Sequence, residues 1–417
     1  MSTHRGTPGS RDFDVLIVGA GVVGAAMASL LVARKLNTSD RVAIISDRLP
    51  PAVRADADWD LRVYALSRAA ERLLKICGVW SALPPNRVFA YERMCVWDAG
   101  VEPGAKGSLK FDSAMIGEPN LGFIVDGGAL QRECLQAARN AGVAVLEAGL
   151  AAVAVGNADV SVRLTDGREL RCKLLIAADG TESKTRTLLG IETAGHAYHQ
   201  DALVAHVRTA KPHADTAWQR FLSTGPLAFL PLPDGRSSMV WSVTLPEARR
   251  LRALDPAEFG RALTEASGGV LGECELTTVI AGFALKMQYA MQYARPRAVL
   301  LGDAAHVVHP LAGQGLNLGL LDCAALADVL GQASGGYFGE HKLLRRYERW
   351  RRSENLLNAA ALDGLERLFG SAGALSTQLR TAGLAAVDSL PFAKRELARR
   401  ALGLSGDIPA FLKVDQF

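Results

Sequence analysis

The sequence predicts an α/β protein in which a Rossmann-like nucleotide-binding domain is interrupted by an inserted, mostly antiparallel β-sheet and followed by C-terminal helices. Three observations predict it. The β-branched run Val15–Val18 turns through glycines into a small-residue helix. Two later apolar runs, residues 170–176 and 298–301, each lead into a glycine and an acid before a polar stretch. Between them, residues 202–293 break into short runs separated by Gly225-Pro226 and Asp234-Gly235, a strand-and-turn signature.

Residues 1–13 are polar and read as a loose tail with no signal-peptide pattern. Gly19, Gly21 and Gly24 then stand in GxGxxG spacing, in the order strand, turn, helix. The first glycine permits the tight turn, the second lets backbone approach a pyrophosphate, and the third lets the helix pack on the strand. Residues 15–33 approach the length of a membrane span, but about half of them are Gly, Ala or Ser and the glycine spacing explains the run better. The next strand, 41–45, ends at Ser46-Asp47, where an acid for a ribose is expected. Asp47 is the first candidate and Ser46 the alternative.

Residues 60–67 lead into a helix capped by Ser67. Arg62 precedes that helix, where a cation reaches a phosphate or a ring as readily as it reaches solvent. Strands at 94–97 and 122–125, a helix at 130–140 and strands at 143–147 and 160–164 follow, with Asp166-Gly167 as a hairpin turn. The apolar run at 170–176 then ends in Asp179-Gly180, with Ser183 and Arg186 opening a helix as a second polar rim. In the inserted sheet Phe221, Phe229, Trp241 and Phe283 read as core.

The third rim is the densest. A strand at 298–301 turns at Gly302-Asp303 and passes Pro310 into Gly313, Gln314, Gly315, Leu316 and Asn317 at the start of a long helix. A carboxylate such as Asp303 accepts hydrogen bonds from sugar-type hydroxyls, and amides at a helix N-terminus favour negative charge. His306 and His309 lie in this stretch; His309 is the candidate general base, although a turn-stabilising role is expected of both. Beyond it, residues 316–330 and 343–400 read as helices, with Arg345-Arg346, Arg351-Arg352, Lys394-Arg395 and Arg399-Arg400 on solvated faces.

The chain has 417 residues, 49% hydrophobic and 22% charged, which fits a folded protein of more than one domain. A net charge of +4, with no interleaved aromatic and basic stripe, argues against nucleic acid as a partner. Six cysteines are scattered without CxxC pairs or histidines at metal spacing, so they read as reduced thiols of a cytoplasmic protein and no metal is expected. The organisation these signals imply is a tail at 1–13, a discontinuous nucleotide-binding domain at 14–85, 122–190 and 294–335, a substrate domain at 86–121 and 191–293, and a helical region at 336–417.

Three motifs stand in order: GAGVVG at 19–24, AADGTESKTR at 177–186 and LLGDAAHVVHPLAGQGLNLG at 301–319. With these, and with Leu61-Arg62, Gly78-Val79-Trp80 and the run from Gly225 to Leu232, the chain resembles the group A flavoprotein monooxygenases of para-hydroxybenzoate hydroxylase-like fold. Within them it is similar to the ubiquinone-biosynthesis hydroxylases, the UbiH/UbiI/UbiF (VisC) group. The resemblance implies FAD, NAD(P)H as electron donor, O₂, and a polyprenylphenol lipid hydroxylated on its ring. Residues 94–98, 202–209 and 401–409 lean toward UbiI, which implies ring position five. It further implies FAD on Gly19, Gly21, Gly24, Asp47 or Ser46, Asp179, Gly180 and Asp303, with the 313–317 amides at the ring. The family's usual glutamate at the second strand end is missing here. A quinone-biosynthesis protein complex and peripheral contact with the inner membrane are the partners implied. The rival readings are a halogenase, whose WxWxIP motif is absent, a reductase of the same fold, and a non-catalytic flavin- or lipid-binding component.

Overall fold

A computed structural model describes residues 12–51, 57–105, 107–308, 313–333, 338–370 and 390–413. Its organising element is a six-stranded sheet whose order runs Ala294–Arg295, Ala298–Leu300, Leu174–Ala177, Val15–Val18, Val42–Ser46, Ala144–Glu147. All neighbours are parallel except the short edge strand Ala294–Arg295. The central strands are apolar but for the terminal Ser46 because both faces are covered, as parallel strands require. Helices Val22–Ala33, Gly127–Asn140 and Gln314–Leu330 pack on one face, and the three-stranded sheet Leu150–Val155, Val160–Leu164, Glu169–Cys172 covers the other.

Chain order in this sheet reverses at Val15–Val18, whose neighbours are the second strand on one side and Leu174–Ala177 on the other. Ligands of open α/β sheets settle at the carboxyl ends beside such a reversal. The three rims read from the sequence all lie there. Backbone bonds tie them together: the Gly19 amide donates to Ile45 O (2.8 Å), Ala178 to Val18 O (2.8 Å) and Leu301 to Ala177 O (2.9 Å).

The second sheet is larger and mostly antiparallel. Its order is His306–Val307, Ala281–Ala290, Thr193–Thr209, Ser237–Thr244, Gly225–Pro231, Thr216–Leu222, Arg93–Asp98, Leu109–Asp112, and only the Thr216–Leu222/Arg93–Asp98 pair is parallel. Alternation along the strands sends Leu203, Ala205, Phe229, Met239 and Trp241 into a core against helices Leu245–Arg252 and Pro256–Ala266. The other face looks back at the nucleotide-binding domain. Strand His306–Val307 joins this sheet although its range was assigned to the first domain. A three-stranded sheet, Val63–Leu66, Gly122–Asp126 and Val88–Tyr91, lies between the two.

Three local expectations change. The apolar run at 170–176 is two strands in different sheets, broken where the Lys173 and Leu174 amides both turn to Asp14 O. Arg351 and Lys394 are buried rather than solvated, since each has polar or aromatic partners that compensate its charge, Asp322 for the first and the Phe111 ring for the second. Phe283 is not core; it is 41% exposed, with the Arg62 guanidinium 5.1 Å from its ring centre.

The six cysteines are buried and none is in a disulfide. Among the described residues no helix is long and apolar enough to cross a membrane and no cluster of ligands suits a metal. Helix His341–Gly370 is stapled to the parallel sheet: Tyr347 Oη donates to Leu300 O (2.8 Å) and the Tyr293 amide donates to Glu348 (2.8 Å). The tail at 1–11 lies outside the described residues.

Candidate functional site

The three glycines of the first turn divide the labour that their spacing predicts. Gly19 has φ +114°, and a Cβ there would sit 2.2 Å from Ala178 O; a Cβ on Gly24 would sit 2.1 Å from Gly19 O. Both are demanded by packing. A Cβ on Gly21 would meet nothing within 4 Å, so that position faces open space. Gly21 is also the N-cap of helix Val22–Ala33, which has no side-chain cap and no acid in its first turn. The first-turn amides therefore lack intrahelical acceptors and face the groove, a cradle suited to a pyrophosphate.

At the end of the second strand the Ser46 hydroxyl donates to Arg48 O (2.7 Å) and accepts from the Arg48 amide, closing a turn. Asp47 is exposed beside it and keeps the available carboxylate.

The second rim is built differently from the expectation. The Asp179 carboxylate faces inward, accepting from Ser183 Oγ (2.5 Å), the Thr185 amide (2.9 Å) and Thr185 Oγ1 (2.8 Å), and so anchors helix Lys184–Leu188. Backbone, with Gly180 at φ +82° and open space at its Cβ position, is what this rim offers a ligand. Arg186 is buried and spans two rims, donating to Thr181 O (3.0 Å) and Ala304 O (2.9 Å).

Asp303 projects into the groove from the single turn Gly302–Ala304, with one long hydrogen bond among the described residues, from Thr181 Oγ1 (3.4 Å). Surrounding protein desolvates its carboxyl and raises its pKa, an effect that His306, the Thr181 hydroxyl and Arg62 offset only in part. A carboxylate so short of donors suits a polyhydroxylated chain. Beneath it lies a residue the sequence reading missed. Asp322, fully buried in helix Gln314–Leu330, accepts from His306 Nε2 (2.5 Å), Arg351 Nε (2.7 Å), Asn355 Nδ2 (3.2 Å) and the Gly302 amide (3.1 Å). Burial would raise its pKa, but His306 and Arg351 more than compensate and hold it at about 2. An acid inside an otherwise apolar helical face was the available signal. His306 is thus a structural partner; His309 and Pro310 lie outside the described residues.

Gly313, in the left-handed conformation, is the N-cap of Gln314–Leu330 without a side-chain cap, and a Cβ on Gly315 would meet open space. Helix geometry leaves the Gly315 and Leu316 amides without intrahelical acceptors. The Asn317 side chain is turned inward: Oδ1 accepts from the Ser67 amide (2.9 Å), and Nδ2 donates to Ala65 O (2.9 Å) and Gly313 O (3.2 Å). It positions the helix start against Val63–Leu66. From there a cavity of about 590 Å³ runs along the free face of the large sheet, and Arg62, Tyr64, Gly313, Gln314, Lys286 and Leu397 are among the residues that line it. Its walls are mainly apolar, as a site for a small organic ligand is.

Residues 130–357 match the FAD binding domain family. The chain is 33% identical to 3-demethoxyubiquinol 3-hydroxylase of Escherichia coli over 94% of its length and 98% of that protein's. It is 34% identical to the ubiquinone hydroxylase UbiL of Rhodospirillum rubrum, covering 94% and 89%. Among solved structures, PqsL from Pseudomonas aeruginosa, a probable FAD-dependent monooxygenase, superposes with a TM-score of 0.69 at 26% identity, covering 89% and 99%. The p-nitrophenol 4-monooxygenase PnpA of Pseudomonas putida superposes with a TM-score of 0.71 at 17% identity, covering 94% and 98%, which speaks for the fold. An open glycine cradle, a groove-facing carboxylate and an uncapped helix start around one sheet reversal, on a para-hydroxybenzoate hydroxylase-like fold, agree with that kinship: the chain belongs to the family of FAD-dependent ubiquinone-biosynthesis hydroxylases and is a flavoprotein monooxygenase.

Proposed function

We propose that this enzyme hydroxylates the aromatic ring of a polyprenylphenol in ubiquinone biosynthesis, at ring position five as in UbiI, with NAD(P)H as electron donor. One atom of O₂ enters a ring C–H as hydroxyl and the other leaves as water, with two electrons from NAD(P)H and a proton from solvent. FAD, when bound, supplies the oxygen activation; the chain supplies placement and dryness. Gly21 and the first-turn amides would hold the pyrophosphate, with Gly19 and Gly24 closing the turn beneath them; Asp47 would hold the ribose, Asp303 the hydroxylated chain, and the amides from Gly313 to Leu316 the ring. Arg62 and the backbone at Asp179-Gly180 and Gly302 border the same groove.

The apolar cavity that begins at Gly313 and Gln314 carries this reading. Its wall residue Leu397 is half exposed on helix Pro391–Ala401, where Phe392 is 84% exposed beside the basic Arg395. That arrangement supports lipid entry at this helix and peripheral membrane contact. Sedimentation with anionic vesicles should fall several-fold on Phe392→Asp; unchanged sedimentation counts against it.

The central test is O₂ uptake coupled to NAD(P)H oxidation on adding a 2-polyprenylphenol, with mass spectrometry of the product. Uptake without a hydroxylated product refutes the reading. A second ring position deserves the same assay, because the E. coli relative is by its name a 3-hydroxylase. No uptake by the flavin-loaded chain would instead favour a non-catalytic component of a quinone-synthesis complex.

A further inference from the structure

The sheet wall of the cavity carries polar side chains that have no hydrogen-bond partner among the described residues. Strand register arranges this face as a grid: His206, Ser238, Leu230 and Ala217 in one row, Val204, Val240, Ala228 and Gln219 in the next. Gln219 is 7% exposed and lines the cavity, and its amide has no hydrogen-bond partner among the described residues. Ser238 lines the same cavity; its Oγ is buried and unpartnered. Beside it His206 is fully buried with neither ring nitrogen bonded. Buried polar groups are nearly always paired. Two on this wall, the Ser238 hydroxyl and the His206 ring, with the Gln219 amide open to the cavity beside them, call for a partner from outside the chain.

The charges nearby narrow its chemistry. Burial first, and the Arg236 charge second, lower the His206 pKa, so the imidazole is neutral at neutral pH. Arg236 itself is engaged by Asp58 (2.5 Å) and Asp234 (2.7 Å), and Lys286 by Glu182 (2.5 Å). Among the described residues this wall therefore offers neutral donors and acceptors set among Val204, Ala228, Leu230 and Val240, while the remaining cation of the cavity, Arg62, stands over the Phe283 ring and near Asp303. Strands lie about 4.8 Å apart, so Gln219 and Ser238, two strands apart, flank a space of the width of one substituted ring.

We propose that Gln219 and Ser238, backed by His206, form a subsite that recognises neutral hydroxyl or ether oxygens on the substrate ring and disfavours a ring carboxylate. The subsite rests on the cavity being where the polyprenylphenol binds. Flavin-loaded wild type, Gln219→Leu and Ser238→Ala are compared for the affinity of three ligands, read by perturbation of the flavin spectrum: a methoxylated prenylphenol, a prenylbenzene without ring oxygens, and a prenylated hydroxybenzoate. Wild type should favour the methoxylated phenol over the other two by about tenfold or more. Gln219→Leu should weaken that ligand about tenfold and leave prenylbenzene unchanged, with KM rising more than kcat falls. Ser238→Ala removes a single hydroxyl and should show the same selective loss even if Gln219→Leu folds poorly. Equal affinities in wild type, a preference untouched by both variants (the signature of a wall satisfied by water alone), or parallel loss for every ligand would overturn the subsite while leaving the substrate reading intact. Wild type binding none of the three ligands would overturn the substrate reading, and the subsite with it.

Discussion

Asp322→Ala will lose a large part of its stability against unfolding. Removing this carboxylate leaves the buried Arg351 guanidinium, the Asn355 amide, His306 and the Gly302 amide without their common acceptor. Breaking a buried pair by deleting one member costs about 3–5 kcal/mol, against a total stability of about 5–15 kcal/mol. Asp322→Asn keeps the shape but not the charge and should lie between alanine and wild type. Urea melts check this, and an alanine variant within about 1 kcal/mol of wild type would refute it. The pH dependence has a definite sign. The folded-state pKa of about 2 lies below the ordinary value of 3.8, so the stabilisation is complete above about pH 4 and is lost as pH falls toward 2. In Asp322→Asn that acid step should disappear.

Gly21→Leu will purify folded and colourless. Its backbone, φ −71° and ψ 178°, is open to any residue, and its Cβ would meet no protein atom, so the fold has no objection to a side chain there. The new side chain instead occupies the space a pyrophosphate needs against the helix terminus. FAD affinity should fall by at least about a hundredfold, while the melting temperature without cofactor stays within a few degrees. Gly19→Ala is the contrasting variant: its Cβ would strike Ala178 O, so stability falls first. Bound flavin in Gly21→Leu at wild-type stoichiometry would show that the groove is not the cofactor's.

Local rules made the scaffold legible. Glycine at three fixed spacings and apolar runs ending in acids mark strand ends whatever the tertiary context, and all three rims were found this way. Cap chemistry placed Ser67, whose hydroxyl accepts from the Ala70 amide. What stayed hidden depends on partners distant in sequence. The Asp179 carboxylate reads as a ligand until Thr185 is seen folding back on it. Arg351 reads as solvated until helix Gln314–Leu330 brings Asp322 beneath it. The helices Leu245–Arg252 and Pro256–Ala266 escaped because the aromatic runs around them dominated the pattern, although Asp255 and Glu258 form a capping box there. Gln219 gave no signal, since a lone glutamine in a strand is ordinary until its cavity is seen.

The staple from helix His341–Gly370 to the parallel sheet bears on how the chain matures. Val15–Val18 finds its neighbour at Leu174–Ala177, which in turn needs Ala298–Leu300, and that strand is fastened by Tyr347. A ribosome must therefore deliver more than three quarters of the polypeptide before the first glycine turn has its final surroundings. Such long-range closure is slow. Truncations that end between residues 320 and 346 keep every glycine motif but lack Tyr347, and they should yield apoprotein prone to aggregation.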